Sequence, residues 1–254
     1  MWHCASRCPG FRLFGREHVM AIFDLNPRRR CALARLGEDR APLLVVDDAF
    51  AEPEALVLHA RSLRFQEVRG EGNHFPGVRA PLPGAYAEAM AGLLGSYDDI
   101  FGALAAKSAE VMLNHAQMVT TPPPALTLPQ RLPHFDTFDP GQVAFLHYLT
   151  SEDFGGTDFY RHRSTGFERI MPERFRHYTA TLAREIMQDG HPSPDYIRGS
   201  TERFVCTHSV EPRFNRVIAY FSNSLHSGHI RKGTELSADP ARGRLMASVF
   251  VRFA

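Results

Sequence analysis

The sequence lacks the features that mark several specialised classes of protein. Its 254 residues carry a formal charge of +1, whereas nucleic-acid-binding proteins usually carry a clear basic excess. No apolar run reaches the roughly 18 residues that a membrane-spanning helix needs, and the first residues contain no apolar signal-peptide core. We therefore expect a cytoplasmic protein whose partners include neither nucleic acid nor a membrane.

Cysteine and lysine are also rare. The four cysteines are too scattered for a disulfide framework, and no two have the spacing of a zinc knuckle, so we expect free thiols in a reducing compartment. Of the 29 positively charged residues, only Lys107 and Lys232 are lysines. Because arginine is used throughout the chain, an arginine is by itself weak evidence for a binding site.

The composition divides the chain into a basic N-terminal segment, residues 1–40, and a globular part, residues 41–254. Residues 1–19 read either as a leader translated from an upstream start codon, with Met20 as the true first residue, or as a basic tail. The globular part has the size and composition of a single domain with a sizeable core.

The first half of the globular part, residues 41–108, reads as a helical buttress. Residues 43–46 form a short apolar run typical of a strand, and Pro53 then opens a helix. An amphipathic pattern predicts a second helix over about 84–106. Between the two helices, residues 73–83 contain too many Pro and Gly breakers for either element, so we expect a loop that could cover a cleft.

The second half, residues 109–254, reads as a β-rich core. Short apolar runs separated by Pro and Gly predict strands at 110–119, 142–149, 156–160, 203–210, 215–221 and 244–253. One helix, over about 172–188, interrupts them. Because these strands follow two helices without regular β–α alternation, the pattern favours an α+β fold in which helices buttress a jelly roll or barrel.

A short segment singles out two of the 13 histidine and 28 acidic side chains as a candidate metal pair. Pro133 forces extended geometry on the residue before it, and in an extended segment His134 and Asp136 point to the same face. A divalent metal accepts an imidazole and a carboxylate in this arrangement. The alternative is a surface salt bridge on a proline-rich turn.

Four further motifs follow this pair in the β-rich core, and together the five resemble the Fe(II)- and 2-oxoglutarate-dependent dioxygenases, particularly their prolyl-4-hydroxylase-like branch. The matching segments are Pro133-His134-x-Asp136, Tyr148-Leu149, Gly155-Gly156-Thr157-x-Phe159, Phe221-x-x-x-Leu225-His226 and Gly243-Arg244. The whole chain is also similar to a bacterial family within that superfamily. The resemblance implies a double-stranded β-helix (cupin-like jelly roll) for the core, and it supplies a mechanism class but no substrate.

The resemblance further implies an iron centre and its co-substrates. His134, Asp136 and His226 would form the two-histidine, one-carboxylate face that binds Fe(II), leaving positions for 2-oxoglutarate and O2. Such enzymes release succinate and CO2 while they oxidise an unactivated C–H bond. We expect hydroxylation of an amino-acid-like small molecule or of a residue in a peptide or protein.

The resemblance implies two more residues around 2-oxoglutarate, Arg244 and Tyr148, and the alternation of an extended strand adds Ser248. Arg244 holds the motif position for the cation that binds the distal carboxylate, which suits the rigid fork of arginine. Ser248 lies on the same face of an extended strand as Arg244 and could add a hydroxyl. Tyr148 corresponds to a tyrosine that contacts the co-substrate in relatives.

The sequence offers more than one candidate for the distal metal ligand and for the cation that binds the carboxylate. His229 competes with His226 as the distal metal ligand. Other basic residues compete with Arg244 because a charged segment precedes it: Arg231, Lys232 and Arg242. The oligomeric state also remains open.

Two other functions use the same residues. One is a jelly roll without catalysis that binds a metal and a carboxylate, because fold does not fix function. The other is hydrolysis by a Zn(II)-bound water, which leaves the Gly243-Arg244 motif unexplained.

Overall fold

A computed structural model describes residues 6–7, 22–67, 74–95, 97, 101 and 108–254. The described helices are α1 (Pro53–Arg61), α2 (Gly84–Gly92) and α3 (Pro172–Asp189). The described strands are β1 (Ser6–Arg7), β2 (Arg30–Leu36), β3 (Ala41–Asp47), β4 (Gln66–Glu67), β5 (Gly77–Pro81), β6 (Ala109–Val119), β7 (Gln142–Tyr148), β8 (Thr157–His162), β9 (Phe204–Val210), β10 (Arg216–Phe221), β11 (His226–Gly228) and β12 (Leu245–Phe253).

The strands form two antiparallel sheets. The major sheet has the order β1-β2-β3-β10-β7-β12-β6-β5-β4, and the minor sheet has the order β11-β8-β9. Side chains of the major sheet, such as Leu43 and Tyr220, pack in one cluster with Phe159 and Val210 of the minor sheet. The two sheets therefore enclose a common interior, which confirms the predicted α+β fold with a double-stranded β-helix core.

The helices α1 and α2 cover the outer face of the major sheet. Because side chains alternate along a strand, Phe145 faces outwards in the same cluster as Leu56 of α1 and Met90 of α2, whereas Leu146 faces the interior. The interior between the sheets is thus lined by every second residue of β7, β10 and β12. This alternation decides which side chains can reach a cavity there.

The elements predicted for the β-rich core are all present, with bounds within two residues of those predicted. Two predictions for residues 41–108 need correction, and one strand before residue 41 was not predicted. The helix predicted over 84–106 ends at Gly92, where the glycine and the following Gly95 favour its termination. Residues 96, 98–100 and 102–107 of the predicted span lie outside the described residues. The segment 73–83 contains β5, because its glycine and prolines bound the strand and do not interrupt it. Sequence analysis missed β2, whose apolar alternation is masked by its arginines.

The predictions about the cysteines and about the N-terminal leader have mixed outcomes. Cys31 is disulfide-bonded, so the expectation of free thiols is wrong for this residue, whereas Cys206 is a free thiol. Cys4 and Cys8 lie outside the described residues. The predicted leader, residues 1–19, also lies outside them, apart from the two residues of β1. Among the described residues, no helix has the length and apolar character needed to cross a membrane.

Candidate metal and carboxylate site

A cavity of about 420 Å³ opens between the two sheets. Its wall combines residues of the major-sheet strands β5, β6, β7, β10 and β12 with residues of β8 and β11. The polar side chains that line it are His74, Arg79, Gln117, Gln130, His134, Asp136, Thr157, Tyr196, Tyr220, His226, Ser227, Arg244 and Ser248. Five of the six residues that sequence analysis singled out are in this set, and Tyr148 is the exception.

Backbone hydrogen bonds hold the His134–Asp136 segment against the chain that leads into β11. Leu132, which precedes Pro133, is extended with φ −120° and ψ 153°, as steric clash with the proline ring requires. The amide of His134 donates to the carbonyl of His226 at 2.8 Å, and the amide of His226 donates back at 2.8 Å. The amide of Asp136 donates to the carbonyl of Ser222 at 2.8 Å. The two distant segments are therefore fixed side by side.

This pairing brings three metal-ligating side chains together. His134 Nε2 lies 3.7 Å from Asp136 Oδ1, and His226 Nε2 lies 3.8 Å from Asp136 Oδ2. One potential ligand atom from each residue lies within 4.8 Å of the other two. Two imidazole nitrogens and a carboxylate oxygen on one side of a common point form the donor set typical of non-haem iron sites.

The hydrogen bond of one histidine and the protonation of the other suit a metal. His226 Nδ1 donates to the carbonyl of Ser224 at 2.9 Å, so Nε2, which lies 3.8 Å from Asp136 Oδ2, is the ring nitrogen available to a metal. Desolvation, assisted by the neighbouring His226, lowers the pKa of His134 well below its ordinary value. The lowered pKa favours the neutral imidazole of His134, which is the form that binds a metal.

The carboxylate of Asp136 provides the test of whether these residues fit a cation. Its side chain is only 12% exposed, and Oδ2 makes no hydrogen bond with the described residues. Burial raises the pKa of Asp136. A buried carboxylate oxygen without a partner costs free energy, and a metal ion between the three side chains would remove that cost. The residues present therefore fit a divalent cation.

A buried guanidinium lies in the same cavity. Arg244 is 6% exposed, and burial lowers its pKa. Its Nε and Nη2 donate to the carbonyl of Gly155 at 3.2 and 3.1 Å, and Nη2 also donates to the carbonyl of Gly156 at 2.8 Å. None of the described carboxylates lies within 4 Å of it. A buried cation without a counter-ion is costly, so Arg244 is suited to bind an anion that enters the cavity.

The two glycines make this placement possible. Gly155 has φ +94°, and a Cβ there would clash with the carbonyl oxygen of His229. A Cβ on Gly156 would clash with the carbonyl oxygen of Val210. Only glycine allows this close approach of the backbone. The turn into β8 thereby presents both carbonyls to the Arg244 guanidinium and fixes its orientation.

Ser248 and Tyr148 occupy different positions relative to the cavity. Ser248 lines it, is 1% exposed, and its Oγ has no hydrogen-bond partner among the described residues. The Tyr148 hydroxyl hydrogen-bonds Thr157 Oγ1 at 2.8 Å, and it is Thr157 that lines the cavity. Ser248 can therefore contact a ligand directly, whereas Tyr148 can act through Thr157.

The residues that compete in sequence with His226 and Arg244 lie outside the cavity wall. His229 Nδ1 contacts Asp158 Oδ2 at 3.0 Å and does not line the cavity. Arg231 pairs with Asp153, and Arg242 lies 3.4 Å from the Glu235 carboxylate. Lys232 is exposed. Each of these four side chains is thus committed to another partner or to the solvent.

Sequence analysis missed several residues of the cavity wall. Arg79 lies in the segment predicted to be a loop, and no local pattern points to Gln117 or Tyr196. The Tyr220 hydroxyl, which also has no hydrogen-bond partner among the described residues, lies on the interior face of β10. The alternation of β10 was the one signal that could have placed it there.

Comparison with known proteins identifies the family of the chain. A family model described as a family of unknown function, DUF6445, matches residues 27–251. The chain belongs to the DUF6445 family. No curated protein matches this DUF6445 chain significantly.

Some solved structures resemble the DUF6445 chain weakly. HygX from Streptomyces hygroscopicus, in a crystal structure with nickel, 2-oxoglutarate and hygromycin B bound, is 14% identical, with 84% of each chain covered and a TM-score of 0.45. An N-substituted L-amino acid dioxygenase from Burkholderia ambifaria AMMD is 13% identical over 86% of this chain and 91% of its own, with a TM-score of 0.41. The α-ketoglutarate-dependent carbocyclase SnoK from nogalamycin biosynthesis is 14% identical over 84% and 79%, with a TM-score of 0.40. Similarity at this level does not identify an activity.

Proposed function

We propose that this DUF6445 protein is a non-haem Fe(II)- and 2-oxoglutarate-dependent oxygenase of the prolyl-4-hydroxylase-like branch. The reaction is hydroxylation of an unactivated C–H bond in an amino-acid-like small molecule or a protein residue, with release of succinate and CO2. The observation that carries the proposal is the presence of two complementary features in one cavity: the triad His134, Asp136 and His226, and the unpaired guanidinium of Arg244.

The triad and Arg244 have separate roles: the first would bind the metal, and the second would bind the co-substrate. The triad would hold Fe(II) through two imidazole nitrogens and one carboxylate oxygen. When bound, Fe(II) together with 2-oxoglutarate and O2 supplies the oxidising chemistry. Arg244 would bind the distal carboxylate of 2-oxoglutarate, and the unpartnered hydroxyl of Ser248 would donate a further hydrogen bond.

The protein also fixes the positions of the metal ligands before the metal binds. His226 is held by Ser224 and by its backbone pairing with His134, so the ligands need little reorganisation when metal binds. Apolar side chains, including Leu146 and Phe250, share the cavity wall with the polar side chains named above.

The direct test is conversion of 2-oxoglutarate to succinate by the purified full chain with Fe(II), ascorbate and O2. We expect slow succinate release without substrate, faster release with a true substrate, and none with His134→Ala. The matched pair Arg244→Met and Arg242→Met separates the cavity arginine from its exposed competitor. We expect the affinity for 2-oxoglutarate to fall about 30-fold or more in the first variant, as for loss of one partner of a buried charge pair, and to stay unchanged in the second.

The cavity bears on the alternative of a binding protein without catalysis. Such a protein would bind a metal and a carboxylate in the same cavity of about 420 Å³, which extends from the triad to Arg244. Turnover, and not binding, therefore separates the two functions. Metal and 2-oxoglutarate binding without succinate release, across a wide substrate panel, would favour the binding protein.

A further inference from the structure

A second arginine, Arg79, faces the cavity from β5. It lines the same wall as the metal triad, although it comes from the edge region of the major sheet. The oxygenase chemistry proposed above assigns no role to it. Its environment resembles a binding site for an anion more closely than a structural ion pair.

Two neighbours fix the orientation of the Arg79 guanidinium. Arg79 is directly opposite Gln117 in the β5–β6 register, and its Nε donates to Gln117 Oε1 at 3.2 Å. Its central carbon lies 4.4 Å from the centre of the Phe75 ring, a distance typical of a cation–π contact. These contacts hold the plane of the guanidinium. They leave Nη1 and Nη2 without an acceptor among the described residues.

Arg79 also lacks an ion-pair partner among the described residues, although the Asp136 carboxylate attracts its charge at longer range. None of the described carboxylates lies within 4 Å of its nitrogens. The guanidinium is nevertheless half-buried, and its charge opposes the rise that burial causes in the pKa of Asp136. Arg79 therefore places positive charge beside the metal triad. A planar guanidinium with two free nitrogens matches a carboxylate, which can accept two parallel hydrogen bonds.

The register of the sheet separates Arg79 from Arg244. Arg79 is opposite Gln117 on β6, and Gln117 is opposite Met246 on β12, two residues after Arg244. Two strand spacings of about 4.8 Å put the backbones of β5 and β12 about 9.5 Å apart. The two arginines therefore reach the cavity from different positions in the wall, on either side of β6.

We propose that Arg79 binds a carboxylate of the primary substrate, while Arg244 binds the co-substrate. The proposal rests on the proposed oxygenase function and narrows its substrate class. Beyond the arginines, the cavity wall contains several apolar side chains: Leu113, Leu146, Met246 and Phe250. The substrate expected is therefore a carboxylic acid with an apolar body, and the reacting carbon lies near the triad.

The first experiment assigns the co-substrate. Full-length wild type and the variants Arg79→Met, Arg244→Met and Arg35→Met are loaded with Mn(II) without O2 and titrated calorimetrically with 2-oxoglutarate. Arg35 is the control, because it is an exposed arginine of β2 that does not line the cavity. We expect Arg79→Met and Arg35→Met to bind like wild type and Arg244→Met to lose about 30-fold or more. A comparable loss in Arg79→Met would overturn the inference, because Arg79 would then hold the co-substrate. Failure of wild type to bind 2-oxoglutarate would refute the oxygenase itself.

The second experiment measures binding of acids, with no turnover. Hexanoate and 3-phenylpropanoate are each compared with their primary amides on wild type loaded with Mn(II) and 2-oxoglutarate. We expect the acids to bind about tenfold or more tightly than the amides, as for loss of a charge-assisted pair. The preference should persist in Arg35→Met, weaken in Arg79→Lys and disappear in Arg79→Met. Equal binding of acid and amide by wild type, or an acid preference that survives in Arg79→Met, would refute the inference.

Discussion

Replacement of Asp136 by asparagine should have opposite effects on the metal-free and the metal-bound protein. Asp136 is buried, its Oδ2 has no hydrogen-bond partner among the described residues, and burial raises its pKa. A buried polar group without a partner costs about 1–3 kcal/mol of stability, and a charged group costs more. Asparagine keeps a polar amide at this position but removes the charge, so we expect Asp136→Asn to raise the free energy of unfolding of the metal-free chain by about 1 kcal/mol.

The metal-bound protein should respond in the opposite direction. For wild type, Fe(II) or Mn(II) at one hundred times its dissociation constant should add about 2.7 kcal/mol of stability by mass action. In a domain of this size, each kcal/mol corresponds to about 2–4 °C in the melting temperature. The metal should therefore raise the melting temperature of wild type by about 5–11 °C. Asp136→Asn, with one of three ligands changed, should show little or no increase.

Thermal unfolding by circular dichroism, with a chelator or with Mn(II), measures both effects. Asp153→Asn is the matched control, because it removes the same charge from an exposed ion pair with Arg231. Its stability should change by less than about 0.5 kcal/mol, with or without metal. If Asp136→Asn destabilises the metal-free chain, or if it keeps the full response to metal, Asp136 is a structural carboxylate and the reasoning fails.

Three further predictions concern His147, Ser248 and Tyr148. Burial lowers the pKa of His147 to about 3, so between this value and the ordinary pKa of about 6.5 the unfolded chain binds a proton that the folded chain does not. Wild-type stability should therefore fall by up to about 1.4 kcal/mol for each pH unit of acidification in this range. In urea unfolding, the stability gap between wild type and His147→Leu should narrow on acidification, and a constant gap would contradict this. Ser248→Ala should raise the melting temperature of the ligand-free chain by a few degrees, because it removes a buried hydroxyl that has no partner among the described residues. The same variant should weaken 2-oxoglutarate binding about tenfold in calorimetry, and unchanged binding would exclude Ser248 from the co-substrate site. Tyr148→Phe should cost about 1 kcal/mol in chemical unfolding, because it removes the hydrogen bond to Thr157, and unaltered stability would show that this bond contributes nothing.

The strands of the β-rich core could be predicted because each has a strong local signal. In β7 and β10, apolar and β-branched residues alternate or cluster between glycine and proline, and this periodicity depends only on neighbours in sequence. The missed β2 and β5 show the limit of that signal. Arginines mask the pattern in the first, and the second is bounded by the residues that usually indicate a loop.

In the candidate site, too, some features follow from the local sequence and others follow from tertiary structure. The common face of His134 and Asp136 follows from Pro133 and from extended geometry, both of which are local. The proximity of His226 follows from backbone pairing with His134 across a long sequence separation, and the register of that pairing is not encoded in either segment alone.

The amino-acid sequence by itself therefore determined the type of fold, the positions of most strands in the β-rich core and the chemical character of the motifs. Tertiary structure decided which distant side chains face one another: Arg244 lines the cavity while Arg242 is exposed, and Arg79 joins the wall through its pairing with Gln117. The physical reason is that side-chain direction alternates locally along a strand, whereas the neighbours of a strand are chosen by packing of the whole core.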